Sequence, residues 1–362
     1  MKINRNPELI NYIQNLIDNN DINVSIGEMF FSVLGKDKDL SVEEIETIIK
    51  KYNLKEEDFI MSLLLDMWEI DLKVDDNQTI YDLCIKDHIK LVDFDKYINN
   101  PYYKNIKIKD IKDGKYELKY DNYTPYELFP LDDIKVDDNF IEHSSLAFFK
   151  KEFPFIVLNE KDVTWMSITP NEINTMEKSI KEAKGNVLVF GLGLGYYPYM
   201  ISLKEEVKSI TIIEKNKHII EIFNKYLFPQ FENKNKVQII EMDALKYNFD
   251  DDKYDYVFID LWKTPDDGID LFLTFKALEK NYKNTTFSYW LNNSFYAFVR
   301  RCFISLLAEQ LNGLKDDSYK HEDNSFDHLI NHLYFKTKNL QIESINQLRD
   351  LLSNESLIKL AL

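Results

Sequence analysis

The sequence predicts an α/β fold. A doubly wound, mostly parallel sheet is joined to an N-terminal helical region, a β-hairpin-rich linker and a helical C-terminal extension. Three observations predict it. Short strand-like runs at 187–190, 209–213, 237–240, 254–259 and 285–290 alternate with helical patterns at 197–206, 217–227 and 269–281, the rhythm of βαβ units. The first run, Val187-Leu188-Val189-Phe190, is apolar throughout, as a parallel strand covered on both faces must be. A glycine-rich turn follows that run directly.

Up to about residue 100 the period is helical. Ser41 is followed by Glu44, a capping-box pair, before the apolar face Ile45, Ile48 and Ile49. Ile60, Leu63, Leu64 and Met67 form a second face, and Leu83, Ile85, Ile89 and Val92 a short buried segment. From Tyr102 to Pro130 the period changes. Ile106, Ile108 and Ile111 precede Asp113-Gly114, and Tyr116, Leu118 and Tyr120 follow, which predicts a hairpin. Phe155 to Leu158 and Val163 to Ser167 read as extended pieces around a turn at 159–162.

Thr169-Pro170-Asn171-Glu172 predicts a helix start. Thr169 is placed to cap, Pro170 takes the first helical position and Glu172 closes the box. After Trp290 the pattern is helical again, with Phe295, Phe298, Val299, Cys302, Phe303, Leu306 and Leu307 along one helix. The expected divisions are a helical domain over 1–100 and a β-rich linker or small β subdomain over 101–168. A sheet domain over 169–312 and a helical extension over 313–362 follow.

With 44% hydrophobic residues the chain can bury a large core. Forty-five Lys and Arg against 62 Asp and Glu give a net charge of -17, which repels phosphate backbones and makes nucleic acid an unexpected partner. Cys84 and Cys302 allow one disulfide at most, and a reducing compartment fits best. Apolar runs such as Leu63-Leu64-Leu65 are too short to span a bilayer, and the first residues hold no apolar stretch of signal-peptide length. The expectation is a cytoplasmic protein with no membrane contact. The β-rich linker offers a surface for a homodimer.

The sharpest motif is Gly191-Leu192-Gly193-Leu194-Gly195-Tyr196. Alternate glycines after a buried strand let backbone approach a ligand at angles a Cβ opposes. A dinucleotide fingerprint would need glycine at Tyr196, and no Gly-Lys-Ser/Thr follows as in a phosphate-binding loop. Glu214 ends the second strand, where a carboxylate can accept from two ribose hydroxyls. Asp243 follows the third strand and is placed to accept from an adenine amino group, with Ala244 or Met242 against the ring. Asp260 ends the fourth. All would lie at the carboxyl ends of parallel strands, where open α/β sheets bind ligands.

Together these residues resemble the class I S-adenosylmethionine-dependent methyltransferase fold, a Rossmann-like domain. The stretch 185–290 is most similar to its spermidine-synthase-like branch, with apolar Val189 two residues before the first glycine. The resemblance implies S-adenosyl-L-methionine as cofactor. Gly191, Gly193 and Gly195 would pass the methionine part and ribose, and Glu214 would hold the ribose hydroxyls. Asp243 with Ala244 would address adenine, and Asp260 would stand near the sulfonium or the acceptor. Polyamine synthases follow the fourth strand with an Asp-Ser-Ser/Thr-Asp-Pro type loop. Trp262 and Lys263 replace its small and acidic groups here. The usual antiparallel sixth and seventh strands are not legible either.

The expected activity is methyl transfer to a small molecule, with Asp260 as proton acceptor and no metal required. Trp262, Tyr196, Trp290 and Trp165 are the candidate substrate contacts. Aminopropyl transfer from the decarboxylated cofactor, with Asp260, Asp266 and Asp267 as diamine contacts, is the alternative. A non-catalytic nucleoside-binding or scaffold protein is the third reading. His321, His328 and His332 form no zinc motif, because Leu329 follows His328. Arg300-Arg301 reads as a helix-surface pair.

Overall fold

The computed structural model describes residues 1–36, 40–313 and 324–362. Helix α1 (Pro7–Ser32) opens with Asn6 capping Glu8 N and Pro7 in its first turn. It threads two apolar cores. Leu9, Ile13 and Leu16 enter the main core, while Ile26 and Phe30 enter a smaller N-terminal one. That second core collects α2 (Val42–Tyr52), α3 (Glu56–Met67) and the buried Cys84 and Ile85. The box at Ser41 and Glu44 is closed, as the sequence predicts.

The hairpin at Asp113-Gly114 forms between β1 (Ile111–Asp113) and β2 (Tyr116–Tyr123). Ile106 and Ile108 lie outside it, because Asn100 and Pro101 first start a helical turn over Pro101–Asn105. β2 pairs with β3 (Phe153–Glu160), which turns into β4 (Val163–Ser167), making an antiparallel sheet of order β4-β3-β2-β1. Lys161 and Asp162 both have positive φ, the geometry of a tight two-residue hairpin turn.

Helix α4 (Pro170–Glu182) leads into the central sheet. Its strands are β5 (Gly185–Phe190), β6 (Val207–Glu214), β7 (Val237–Glu241), β8 (Tyr256–Ile259) and β9 (Thr286–Tyr289). They lie in the order β7-β6-β5-β8-β9, all parallel, so the strand order reverses between β5 and β8. Helix α5 (Tyr196–Ser202) follows β5, and α6 (Lys217–Ile222) follows β6 and continues in a wider π turn to Leu227. Helix α7 (Pro265–Glu279) begins earlier than its apolar periodicity predicts. Thr264, Pro265 and Asp267 build a closed capping box inside what reads as loop.

No sixth strand joins this sheet among the described residues. The chain instead enters α8 (Asn292–Leu311), α9 (Ser325–Thr337) and α10 (Asn354–Ala361). Arg300 is buried, against the helix-surface expectation. It donates to Leu352 O and Asn354 Oδ1 and lies over Phe140. Arg301 pairs at 3.6 Å with the buried Glu142, so both arginines tie α8 to neighbouring chain. A two-residue parallel pairing of Lys2–Ile3 with Gln341–Ile342 joins distant parts of the sequence. Both cysteines are buried free thiols. Among the described residues no helix is long and apolar enough to cross a membrane.

Candidate functional site

Strand register sets the site. Phe190 lies level with Ile213 and Ile259, so the chain leaves β5, β6 and β8 at one height. The residues that follow, Gly191, Glu214 and Asp260, therefore meet where the strand order reverses, the usual ligand crevice of such sheets. They line a cavity of about 630 Å³ that also takes in Gly193, Asp243, Ala244, Trp262, Trp290 and Trp165. Six of its lining residues, Gly191, Gly193, Glu214, Asp243, Ala244 and Asp260, are ones the sequence places at four strand ends.

Gly191 is the tightest point. Its φ is +96°, and a Cβ there would lie 2.0 Å from the Asp260 carbonyl oxygen. Only glycine lets the turns after β5 and β8 pass at this distance. The Glu214 carboxylate braces the glycine loop, accepting from Leu192 N at 3.2 Å and Asn216 N at 2.7 Å. Each carboxylate oxygen has a second lone pair, so capacity for ligand hydroxyls remains. Asp243 Oδ1 caps the turn at Ala244 by accepting from Leu245 N at 3.0 Å.

Gly195 and Tyr196 lie elsewhere. Gly195 sits at the start of α5, with the Phe223 ring where a Cβ would stand. Tyr196 is buried, accepts from Asn100 Nδ2 at 3.0 Å and meets Tyr102 edge-on. Its place next to the loop in sequence does not bring it to the cavity, because α5 turns that face into the core.

The tryptophans are held rigidly. Trp262 Nε1 donates to Trp290 O at 3.2 Å, and Trp290 Nε1 donates to Thr175 Oγ1 at 2.8 Å. Gly268 lets Trp262 sit against α7, since a Cβ there would lie 2.6 Å from the Trp262 Cβ. Trp165 is the extra residue of a β-bulge between Thr164 and Met166, which re-aims its ring. That ring stacks on Tyr116 at 5.7 Å and lines the cavity.

Sequence reasoning missed Glu172 as a site residue. It does not close the box on Thr169, whose side chain makes no cap bond. Instead Glu172 lines the cavity and accepts from Ser167 Oγ at 3.4 Å. No local pattern could have revealed this, because the same Thr-Pro-x-Glu spelling specifies a cap. Asp267, offered as a diamine contact, is taken by its own capping box, accepting from Thr264 N at 2.7 Å. Asp266 is exposed and lies outside the cavity lining.

Asp260 is pushed up to about 7, first by burial and then by the Glu214 carboxylate. Glu172 is pushed well above the usual carboxylate range by burial and by Asp260, against the opposing Ser167 hydroxyl. A carboxyl titrating near neutrality is suited to accept or return a proton. Among the described residues no group of three His, Cys, Asp or Glu side chains is arranged to hold a metal. His328 and His332 lie on α9, and His321 lies outside the described residues.

No protein-family model and no curated protein matches the chain. Among solved structures, a spermidine synthase from Thermotoga maritima is similar at 19% identity and a TM-score of 0.29, over 42% of this chain and 59% of that one. A dimethyladenosine transferase from Plasmodium falciparum is similar at 17% identity and a TM-score of 0.25, over 41% of this chain and 47% of that one. The chain thus spans 59% of the length of that spermidine synthase.

Proposed function

We propose that the chain binds S-adenosyl-L-methionine across the ends of β5, β6 and β8 and transfers its methyl group to a small molecule. The observation that carries this reading is the convergence of Gly191, Glu214 and Asp243 on one cavity at the strand-order reversal. In it, Glu214 accepts from the ribose hydroxyls, Asp243 accepts from the adenine amino group and Ala244 lies against the ring. Gly191 and Gly193 let the loop backbone run beside the methionine part. The bound cofactor supplies an electrophilic methyl carbon on a sulfonium. Asp260 takes the proton of an acceptor that arrives protonated at its nucleophile. Trp262, Trp290 and Trp165 exclude water from the acceptor space and hold its position.

Aminopropyl transfer from the decarboxylated cofactor is a second reading, favoured by one observation. The cavity is lined by Glu172 and Asp260, next to which a ligand carboxylate is disfavoured. Against it stands Asp267, the acidic group of the following loop, which is engaged by Lys263 N and Thr264 N.

Calorimetric titration of ligand-stripped protein with S-adenosylmethionine, its decarboxylated form and NAD tests both. Saturable binding of the first, lost on Glu214→Ala in a folded variant, is the expected result. Preference for the decarboxylated form selects aminopropyl transfer. Binding of neither sulfonium compound overturns the cofactor assignment.

A further inference from the structure

The central sheet ends at strand β9, whose one neighbour is β8. We propose that this open edge pairs with β9 of a second copy of the chain, joining two sheets into one across a two-fold axis at Ser288. Thr286 N and Trp290 N donate to Asp255 O and Ile259 O, on the β8 side. Main-chain groups alternate in direction along a strand, so Phe287 and Tyr289 turn theirs outward. Among the described residues nothing accepts from Phe287 N or Tyr289 N. Tyr289 is only 4% exposed, so a free donor there is costly until a partner takes it.

A groove of about 670 Å³ runs beside the strand and takes in Phe287, Ser288 and Tyr289. Successive side chains of a strand point to opposite faces, so three consecutive residues share one groove through the strand's edge. Helix α4 follows β9 in the reverse direction. Ser179 Oγ lies 2.6 Å from Ser288 Oγ, and Thr175 Oγ1 accepts from Trp290 Nε1 at 2.8 Å. An unpaired edge takes a strand, and charge decides whose. The chain has a net charge of -17, whereas four lysines stand against five acids in the groove lining. Two copies therefore meet here without the repulsion that so acidic a surface imposes elsewhere.

Antiparallel pairing about Ser288 sets Phe287 opposite the partner's Tyr289, and each N–H meets the other's carbonyl. The same axis lays α4 beside α4 of the second copy, antiparallel. Lys178 and Glu182 stand one turn apart on the groove side of α4. They hold each other loosely, at 4.0 Å with side chains 85% and 46% exposed. Reversal of the second helix turns Lys178 towards the partner's Glu182 and Glu182 towards the partner's Lys178. The patch is thus its own complement, as an isologous two-fold interface requires.

Sedimentation velocity of the full chain over a concentration series tests this, with hydrogen exchange reading the Phe287 and Tyr289 amides. A concentration-dependent dimer is expected, and both amides slow in exchange as it forms. Phe287→Pro removes an outward N–H while the bonds of Thr286 and Trp290 to β8 stand, since an edge strand tolerates proline. Phe287→Ala keeps the N–H and controls for the lost ring. Proline should weaken dimerisation roughly 10-fold or more beyond alanine. Lys178→Glu should weaken it by setting acid against acid, and adding Glu182→Lys should restore it. Circular dichroism establishes folding, and the charge series carries the test if Phe287→Pro does not fold. A monomer at every concentration overturns the proposal. That includes a monomer with both amides protected, where some other occupant holds the edge. A dimer indifferent to the proline and to the charge series also overturns it, since its interface lies elsewhere.

Discussion

Replacing Gly191 with alanine puts a methyl group 2.0 Å from the Asp260 carbonyl oxygen, 1.4 Å short of the 3.4 Å at which ordinary contact begins. The obstacle is backbone, so no side-chain rotation relieves it. The φ of +96° adds backbone strain of order 1–3 kcal/mol for a residue with a Cβ. Overpacking against the neighbouring turn adds about 1–3 kcal/mol. Gly193 is the internal control. Its φ is +52° and nothing lies within 4 Å of its missing Cβ, so alanine there costs only the left-handed conformation, about 1–2 kcal/mol. Urea unfolding of both variants measures the difference. Gly191→Ala should be the less stable by roughly 1–3 kcal/mol, the overpacking contribution. It should also weaken ligand binding, because relief of the clash moves Asp260. Equal midpoints for the two variants would refute the close approach of the β5 and β8 turns.

Glu214→Ala removes the acceptor of Leu192 N and Asn216 N, so a stability loss of about 1–3 kcal/mol should accompany loss of nucleoside affinity. Denaturation and calorimetry read the two separately. Asp260 binds its proton more tightly folded than unfolded. Its contribution therefore favours the folded state at low pH and declines as pH rises from about 4 to about 7. Asp260→Asn removes that slope, and the variant should gain on wild type between pH 4 and 8 by roughly 3–4 kcal/mol, read as diverging thermal midpoints. A parallel pair of profiles would contradict it. Gly268→Ala drives a Cβ to within 2.6 Å of Trp262 and 2.9 Å of Phe295. A loss of about 1–3 kcal/mol is expected from urea unfolding, with altered tryptophan fluorescence as the cavity wall shifts.

The alternation of buried strand and helix was legible in the sequence because a strand covered on both faces has a local signature, an unbroken apolar run. The glycine loop was legible for the same reason, since backbone approach demands glycine wherever it occurs. Glu214, Asp243 and Asp260 followed from both, because a strand end fixes which residue comes next. What the sequence left undecided depends on where chain segments meet. Helix α7 starts at Pro265 because Thr264 and Asp267 cap it, a polar signal ahead of the apolar period. Trp165 reaches the cavity through a bulge in pairing with a strand, and neither strand alone records it. Tyr196 beside the loop turns into the core, whereas Glu172, spelled as a cap, turns to Asp260. By itself the sequence determined the strand rhythm and the residues at the strand ends, since these depend on local burial and backbone angle. The tertiary structure decided which side chains share a cavity, because packing brings Glu172 and Asp260 together and no nearest-neighbour rule relates them.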